Sequence, residues 1–206
     1  MLTYYNQSDI CVLVLHEIYG INQHMQTICE KLSDCRFDVI CPNLLQREDC
    51  YSYCDEKDAY QNFKENIGFS LATRRVKALL YEIRDKYEII IVVGFSIGAT
   101  IAWLCSNDKD LCDIIIGYYG SRIRDYTEIL PKSPTILFFP EEEKEFNVLN
   151  LIEKIKENTN IKIYEFKAEH GFSDPYSSKY CFKTAKKAEE KMMEFIQDYI
   201  DDFIVG

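Results

Sequence analysis

The sequence predicts an α/β fold, a mostly parallel central sheet with helices on both faces, as a single domain over residues 1–206. Three observations carry this expectation. Short apolar runs alternate with longer amphipathic ones. Several of the short runs are apolar almost throughout, the pattern of strands covered on both faces. Finally, 206 residues, 47% hydrophobic and 28% charged, suit one large core.

Strands are expected at ICVLVLH (Ile10–His16), RFDVICP (Arg36–Pro42), EIIIVVG (Glu88–Gly94), CDIIIGYYG (Cys112–Gly120), TILFFP (Thr135–Pro140) and IKIYEF (Ile161–Phe166). Between the first two, Ile21, Met25, Ile28 and Leu32 recur at helical spacing. Leu71, Val76, Leu79, Leu80 and Ile83 do so before the third strand. Ala188, Met192, Phe195, Ile196, Tyr199 and Phe203 mark a long C-terminal helix. The alternation implies right-handed βαβ crossovers and an open, doubly wound sheet. The polar stretch Leu45–Asp58 is irregular. Loops at strand C-termini line the active-site edge of such sheets, so 45–68 is expected to form a lid.

A net charge of −10 opposes binding to nucleic acid or to an anionic membrane surface. No basic segment followed by an apolar one opens the chain, which points to the cytoplasm. Ile89–Asn107 is uncharged and long enough to cross a bilayer, but Gly94, Ser96, Gly98 and Thr100 interrupt it. A buried strand followed by a buried helix is the better reading. Of nine cysteines, Cys11, Cys41 and Cys112 lie in or beside apolar runs as small hydrophobes. Cys50 and Cys54 are spaced as a metal pair, yet further ligands are lacking nearby. No metal and no cofactor are expected.

Chemistry concentrates at Gly94-Phe95-Ser96-Ile97-Gly98. This is the G-x-S-x-G elbow in its proper context of strand, sharp turn and helix. The glycines leave room where the strand doubles into the helix, and the corner displays the Ser96 hydroxyl. The Ile97 N–H, at the positive end of the helix dipole, is placed to hold an oxyanion. Serine needs a base, and three histidines exist. His24 falls on the exposed side of the first helix, and His16 precedes the serine in the wrong order. His170, after the sixth strand, stands where the base belongs. The acid falls after the fifth strand, among Glu141, Glu142, Glu143 and Glu145. The second oxyanion donor is expected at Ile18 N–H, just beyond the first strand. A Glu17 carboxylate pointing into the site would cost desolvation unless partnered; His16-Glu17 reads equally as a capping pair for the next helix. Tyr60, Tyr119 and Phe172 are expected to wall an apolar, aromatic pocket.

These blocks resemble the dienelactone hydrolase family of α/β-hydrolases. VLVLHEIYGINQHMQTICEKLSDCRFDVICPNLL is similar to the family's opening block, VVGFSIGATIAWL to its elbow, IIGYYGSRI to its Y-Y-G block and AEHGFSD to its histidine block. The resemblance implies an α/β-hydrolase fold acting without a metal on a small-molecule ester or lactone. It also implies that Glu17 hydrogen-bonds near the nucleophile. Aligning Pro140 with the glycine of the family's G-x-x-D turn makes Glu143 the acid, with Glu145 second. An N-terminal hairpin is expected to be absent. Ser96 stands where the best-known members carry cysteine. The two arginines that grip a substrate carboxylate there fall near Glu56 or Lys57 and at Asp174, so an anionic dienelactone would be repelled.

The expected reaction is acyl transfer to water through a serine ester. A non-catalytic binding protein of the same fold, and a thioesterase or small peptidase on the same triad, are the rival readings. Activity should fall on acidification, because the base must be neutral to accept the hydroxyl proton. A kcat/KM profile flat from about pH 5 to 8 would contradict the assignment of His170.

Overall fold

The computed structural model describes residues 1–205. Seven strands form one sheet: β1 (Leu2–Tyr4), β2 (Ile10–Leu15), β3 (Asp38–Cys41), β4 (Ile89–Phe95), β5 (Ile114–Tyr118), β6 (Thr135–Glu142) and β7 (Ile161–Glu169). Their spatial order is β1-β3-β2-β4-β5-β6-β7, and every neighbouring pair is parallel except β1 with β3. The helices are α1 (Gln23–Asp34), α2 (Glu56–Asn62), α3 (Gly68–Ile83), α4 (Ile97–Cys105), α5 (Val148–Ile155) and α6 (Phe182–Val205).

The central strands explain their own composition. β4 and β5 are buried at every position, so each side chain meets a helix layer on one face or the other. Along β2, Val12 and Val14 face α1 and α6 with Met25, Leu32, Phe195 and Ile196. Cys11, Leu13 and Leu15 face α3 and α4 with Val76, Leu80, Ile101 and Ala102. The 89–107 run is therefore β4 plus α4. No helix among the described residues is long and apolar enough to cross a membrane.

Four features depart from the sequence reading. The short edge strand β1 pairs antiparallel with β3, through Leu2–Cys41 and Tyr4–Val39, although no strand was expected there. The helix α5 went unrecognised; its Val148, Leu151 and Ile155 pack on Trp103, Leu137 and Phe139, and Asn147 caps it by accepting from Asn150 N–H. The stretch expected to be irregular is helical from Tyr53 onward, as a 3₁₀ turn at Tyr53–Asp55 runs into α2 and on through a π turn to α3. His24, expected on the exposed side of α1, is fully buried. It sits in the first helical turn, where the segments after β2 and β7 close over it, so helix periodicity did not predict its cover.

Three chain segments meet at the C-terminal edge of the sheet. β4 ends at Phe95, whose register partner is Tyr118. A register shift in the β6–β7 ladder between Pro140 and Glu142 leaves Glu142 opposite Glu169. Glu143 and His170 therefore follow that last pair side by side. After β7 the chain doubles back toward α1, tied down by Tyr119 Oη–Ser173 Oγ at 2.9 Å and Thr27 Oγ1–Tyr176 Oη at 2.9 Å.

Candidate active site

Ser96 sits at the corner between β4 and α4 with φ +53° and ψ −111°. That backbone is strained for any residue but glycine, by about 1–3 kcal/mol. The surrounding contacts make the corner possible. A Cβ on Gly94 would lie 2.3 Å from the Gly98 carbonyl oxygen, and one on Gly98 would lie 2.1 Å from the Leu15 oxygen. Both glycines are thus required by the close approach of α4 to β4 and to the end of β2.

His170 Nε2 lies 2.9 Å from Ser96 Oγ, and His170 Nδ1 lies 2.6 Å from Glu143 Oε1. A carboxylate can only accept, so Nδ1–H donates to Glu143 and Nε2 is left to accept from the serine hydroxyl. The Glu143 side chain is 9% exposed and that of His170 28%. Glu145 is turned to solvent and pairs with Arg124 at 3.2 Å, while Glu141 is exposed. Position along the strand decides among the glutamates, since only the residue beside His170 reaches its ring.

Ile18 and Ile97 line the same cleft as Ser96 and His170. Ile97 opens α4, so its N–H has no intrahelical acceptor. Ile18 follows a turn organised by His16, a function sequence reading missed. His16 is fully buried; its Nε2 accepts from Leu44 N–H at 2.9 Å, which leaves Nδ1–H to donate to the Glu17 carbonyl at 2.6 Å. That carbonyl shares a peptide plane with the Ile18 N–H, so the imidazole fixes the direction in which this N–H points. Burial pushes the His16 pKa down to about 4, so the bond persists through neutral pH. The cap of α1 is instead Asn22, which accepts from Met25 N–H.

The cleft holds about 550 Å³, a size suited to a small molecule. Its wall is only partly the apolar, aromatic one expected: Tyr53, Tyr60, Phe146, Ile18 and Ile97 share it with charged side chains. Tyr60 does line it, but Tyr119 and Phe172 are fully buried behind the histidine, Tyr119 with its ring 4.9 Å from that of His170. Both belong to an aromatic cluster with Tyr118 and Phe166 that supports the loop from beneath. The cleft also carries charge: Lys57, Glu56, Arg122 and Lys144 are among its lining. Arg122 donates to Tyr60 Oη at 2.7 and 3.2 Å. It lies two residues beyond the Y-Y-G block, the only signal that could have found it. Cys54 also lines the cleft, and Cys50 is exposed with its thiol free.

Glu17 is buried, though no hydrogen bond joins it to Ser96; its Oε2 stands 3.8 Å from His24 Nδ1. Burial works to raise its pKa, but the His24 and His170 imidazoles outweigh that and lower it. Asp174 is buried as well and accepts from Tyr53 Oη at 2.5 Å. There burial prevails and the pKa is raised. Asp174 is therefore turned inward, away from the cleft, and does not offer the repulsion expected of it. A second, more apolar cavity of about 390 Å³ lies between α1 and α6 and contains no member of the Ser96–His170–Glu143 line.

An α/β sheet with a serine elbow and a histidine bridged to a carboxylate at its C-terminal edge defines an α/β-hydrolase. The dienelactone hydrolase family model matches residues 3–200, and the chain belongs to that family. It is 39% identical to the uncharacterized Bacillus subtilis protein YczH, over 81% of this chain and 82% of that one. A Yersinia pestis protein provisionally named a carboxymethylenebutenolidase is 26% identical over 60% of this chain and 48% of its own. The match thus spans about half of that relative's own length. Among solved structures, the dienelactone hydrolase-like promiscuous phosphotriesterase P91 from metagenomic libraries superposes with a TM-score of 0.71 at 14% identity, covering 92% of this chain and 86% of P91. Est1E from Butyrivibrio proteoclasticus, solved with ferulic acid, gives 0.71 at 10% identity, covering 97% and 94%. These two likenesses concern the fold.

Replacing His16 by alanine should lower kcat about 10–100-fold with KM within about threefold, somewhat less than the loss of a whole oxyanion donor. Steady-state kinetics on a chromogenic ester measures this, and an unchanged kcat would remove His16 from the account.

Proposed function

We propose that this chain is a serine hydrolase of the dienelactone hydrolase type, cleaving a small ester or lactone through an acyl-enzyme intermediate. The observation that carries the reading is the continuous line from Ser96 Oγ through His170 to Glu143, at 2.9 and 2.6 Å. His170 Nε2 takes the hydroxyl proton as Ser96 Oγ bonds to the substrate carbonyl carbon. The Ile97 and Ile18 N–H groups hold the resulting oxyanion. Glu143 keeps the ring oriented and stabilises the imidazolium. The imidazolium protonates the departing alkoxide as the carbon–oxygen bond breaks, leaving the acyl group on Ser96. Water then attacks with His170 again as base, and the carboxylic acid leaves.

The cleft's lining of interspersed carboxylates and basic side chains suits a substrate with a polar group. A net charge of −10 disfavours nucleic acid and anionic membranes as partners. Free cysteines throughout the chain suit a reducing compartment, so the cytoplasm is the proposed location.

With a chromogenic short-chain ester, the wild type should show turnover with a burst. Ser96→Ala should lose about 10³-fold or more, and Glu143→Gln should lower kcat about 10²–10⁴-fold. Glu145→Gln should stay within about twofold, as a solvated surface charge does. Retained turnover in Ser96→Ala, or equal losses in the two glutamate variants, would refute the assignment.

A further inference from the structure

Behind the cleft, three ionisable side chains from three separate segments meet in a buried space. Glu17 comes from the turn after β2, His24 from the first turn of α1, and Asp174 from the segment after His170. His24 Nδ1 stands 3.8 Å from Glu17 Oε2 and 3.8 Å from Asp174 Oδ2, with side-chain exposures of 0%, 6% and 1% for histidine, glutamate and aspartate. One ligand atom of each lies within 4.8 Å of the others.

This spacing is unlike that of a hydrogen-bonded cluster, whose nitrogen–oxygen distances stay below about 3.2 Å. Neither ring nitrogen of His24 has a hydrogen-bond partner among the described residues, although the residue is fully buried. Such a group is costly unless something else satisfies it. No lysine or arginine pairs with either carboxylate among the described residues. Bonds of about 2.0–2.1 Å to nitrogen and oxygen around a tetrahedral ion hold ligands about 3.3–3.4 Å apart. The two histidine–carboxylate distances, 3.8 Å each, stand about 0.4 Å wider than that. Asp174 has outer partners of its own, whereas His24 Nε2 has none among the described residues. Tyr53 Oη donates to Asp174 Oδ2, and Tyr176 N–H donates to Asp174 Oδ1 at 2.9 Å, so the carboxylate is held facing the imidazole.

We propose that Glu17, His24 and Asp174 form a binding site for one divalent first-row transition-metal cation. One imidazole and two carboxylates are the donor set of Mn²⁺ or Zn²⁺. The ion compensates two buried negative charges and ties the turn that carries the Ile18 N–H to the segment that carries His170. Its role is structural, since it lies outside the cleft and no step of the hydrolysis passes through it. Nothing along the chain pointed to the site, because its histidine read as exposed and its ligands are far apart in sequence.

Mn²⁺ is the probe of choice, because the exposed thiols of Cys35, Cys50 and Cys54 would take Zn²⁺ elsewhere. Protein freed of metal by a chelator and titrated with Mn²⁺, with free ion read by electron paramagnetic resonance, should bind one ion per chain. At about 100-fold excess over Kd, Tm should rise by about 5 to 10 °C. Asp174→Asn and His24→Gln, each checked for native circular dichroism, should bind at least about tenfold more weakly. Absence of stoichiometric binding to the wild type at millimolar Mn²⁺ with an unmoved Tm would overturn the proposal. So would undiminished binding in a folded Asp174→Asn. Both readouts are independent of ester hydrolysis, so the site and the proposed activity stand or fall separately.

Discussion

The approach of α4 to the ends of β4 and β2 is the constraint on which the rest of this molecule depends. With a Gly98 Cβ position 2.1 Å from the Leu15 oxygen, the helix touches the sheet backbone directly. That contact forces the left-handed turn at Ser96, and it brings the start of α4 next to the turn leaving β2. The hydroxyl, the free Ile97 N–H and the Ile18 peptide are therefore set by one packing event rather than by three independent ones. The strain at Ser96 is offset by the burial of β4 and α4, both almost wholly inside the core.

The opposite wall is built differently. β6 and β7 end together, and the register shift near Pro140 brings Glu143 alongside His170. The segment after His170 then runs back over the sheet edge and is anchored by tyrosines: Tyr119 to Ser173, Tyr53 to Asp174 and Tyr176 to Thr27. His16 performs the corresponding service for the turn after β2. Side chains outside the Ser96–His170–Glu143 line thus hold each of the two loops to the sheet, the support that the proposed charge stabilisation would need.

The sequence made the sheet legible because its central strands are apolar throughout and its helices periodic. It made Ser96 and His170 legible because an elbow motif and a short supply of histidines narrow the choice. Glu143 needed an alignment to a family pattern, as four glutamates compete within five residues and only strand register separates them. α5 escaped because its eight residues offer barely two turns of periodicity. Arg122, His24 and Asp174 escaped for a deeper reason: their surroundings come from segments remote in sequence. Tyr119 and Phe172 were misplaced by the same limit, since aromatic residues near a site read alike whether they face the cleft or support it from behind.

In the proposed function, the hydroxyl at the β4–α4 corner is made nucleophilic by the imidazole beside it. Intact-mass analysis after exposure to a fluorophosphonate tests this without reference to any substrate. A single covalent adduct, mapped to Ser96, should form rapidly in the wild type and be suppressed in His170→Ala. No adduct on the folded protein, or an adduct on Ser96 that forms equally fast without His170, would contradict it.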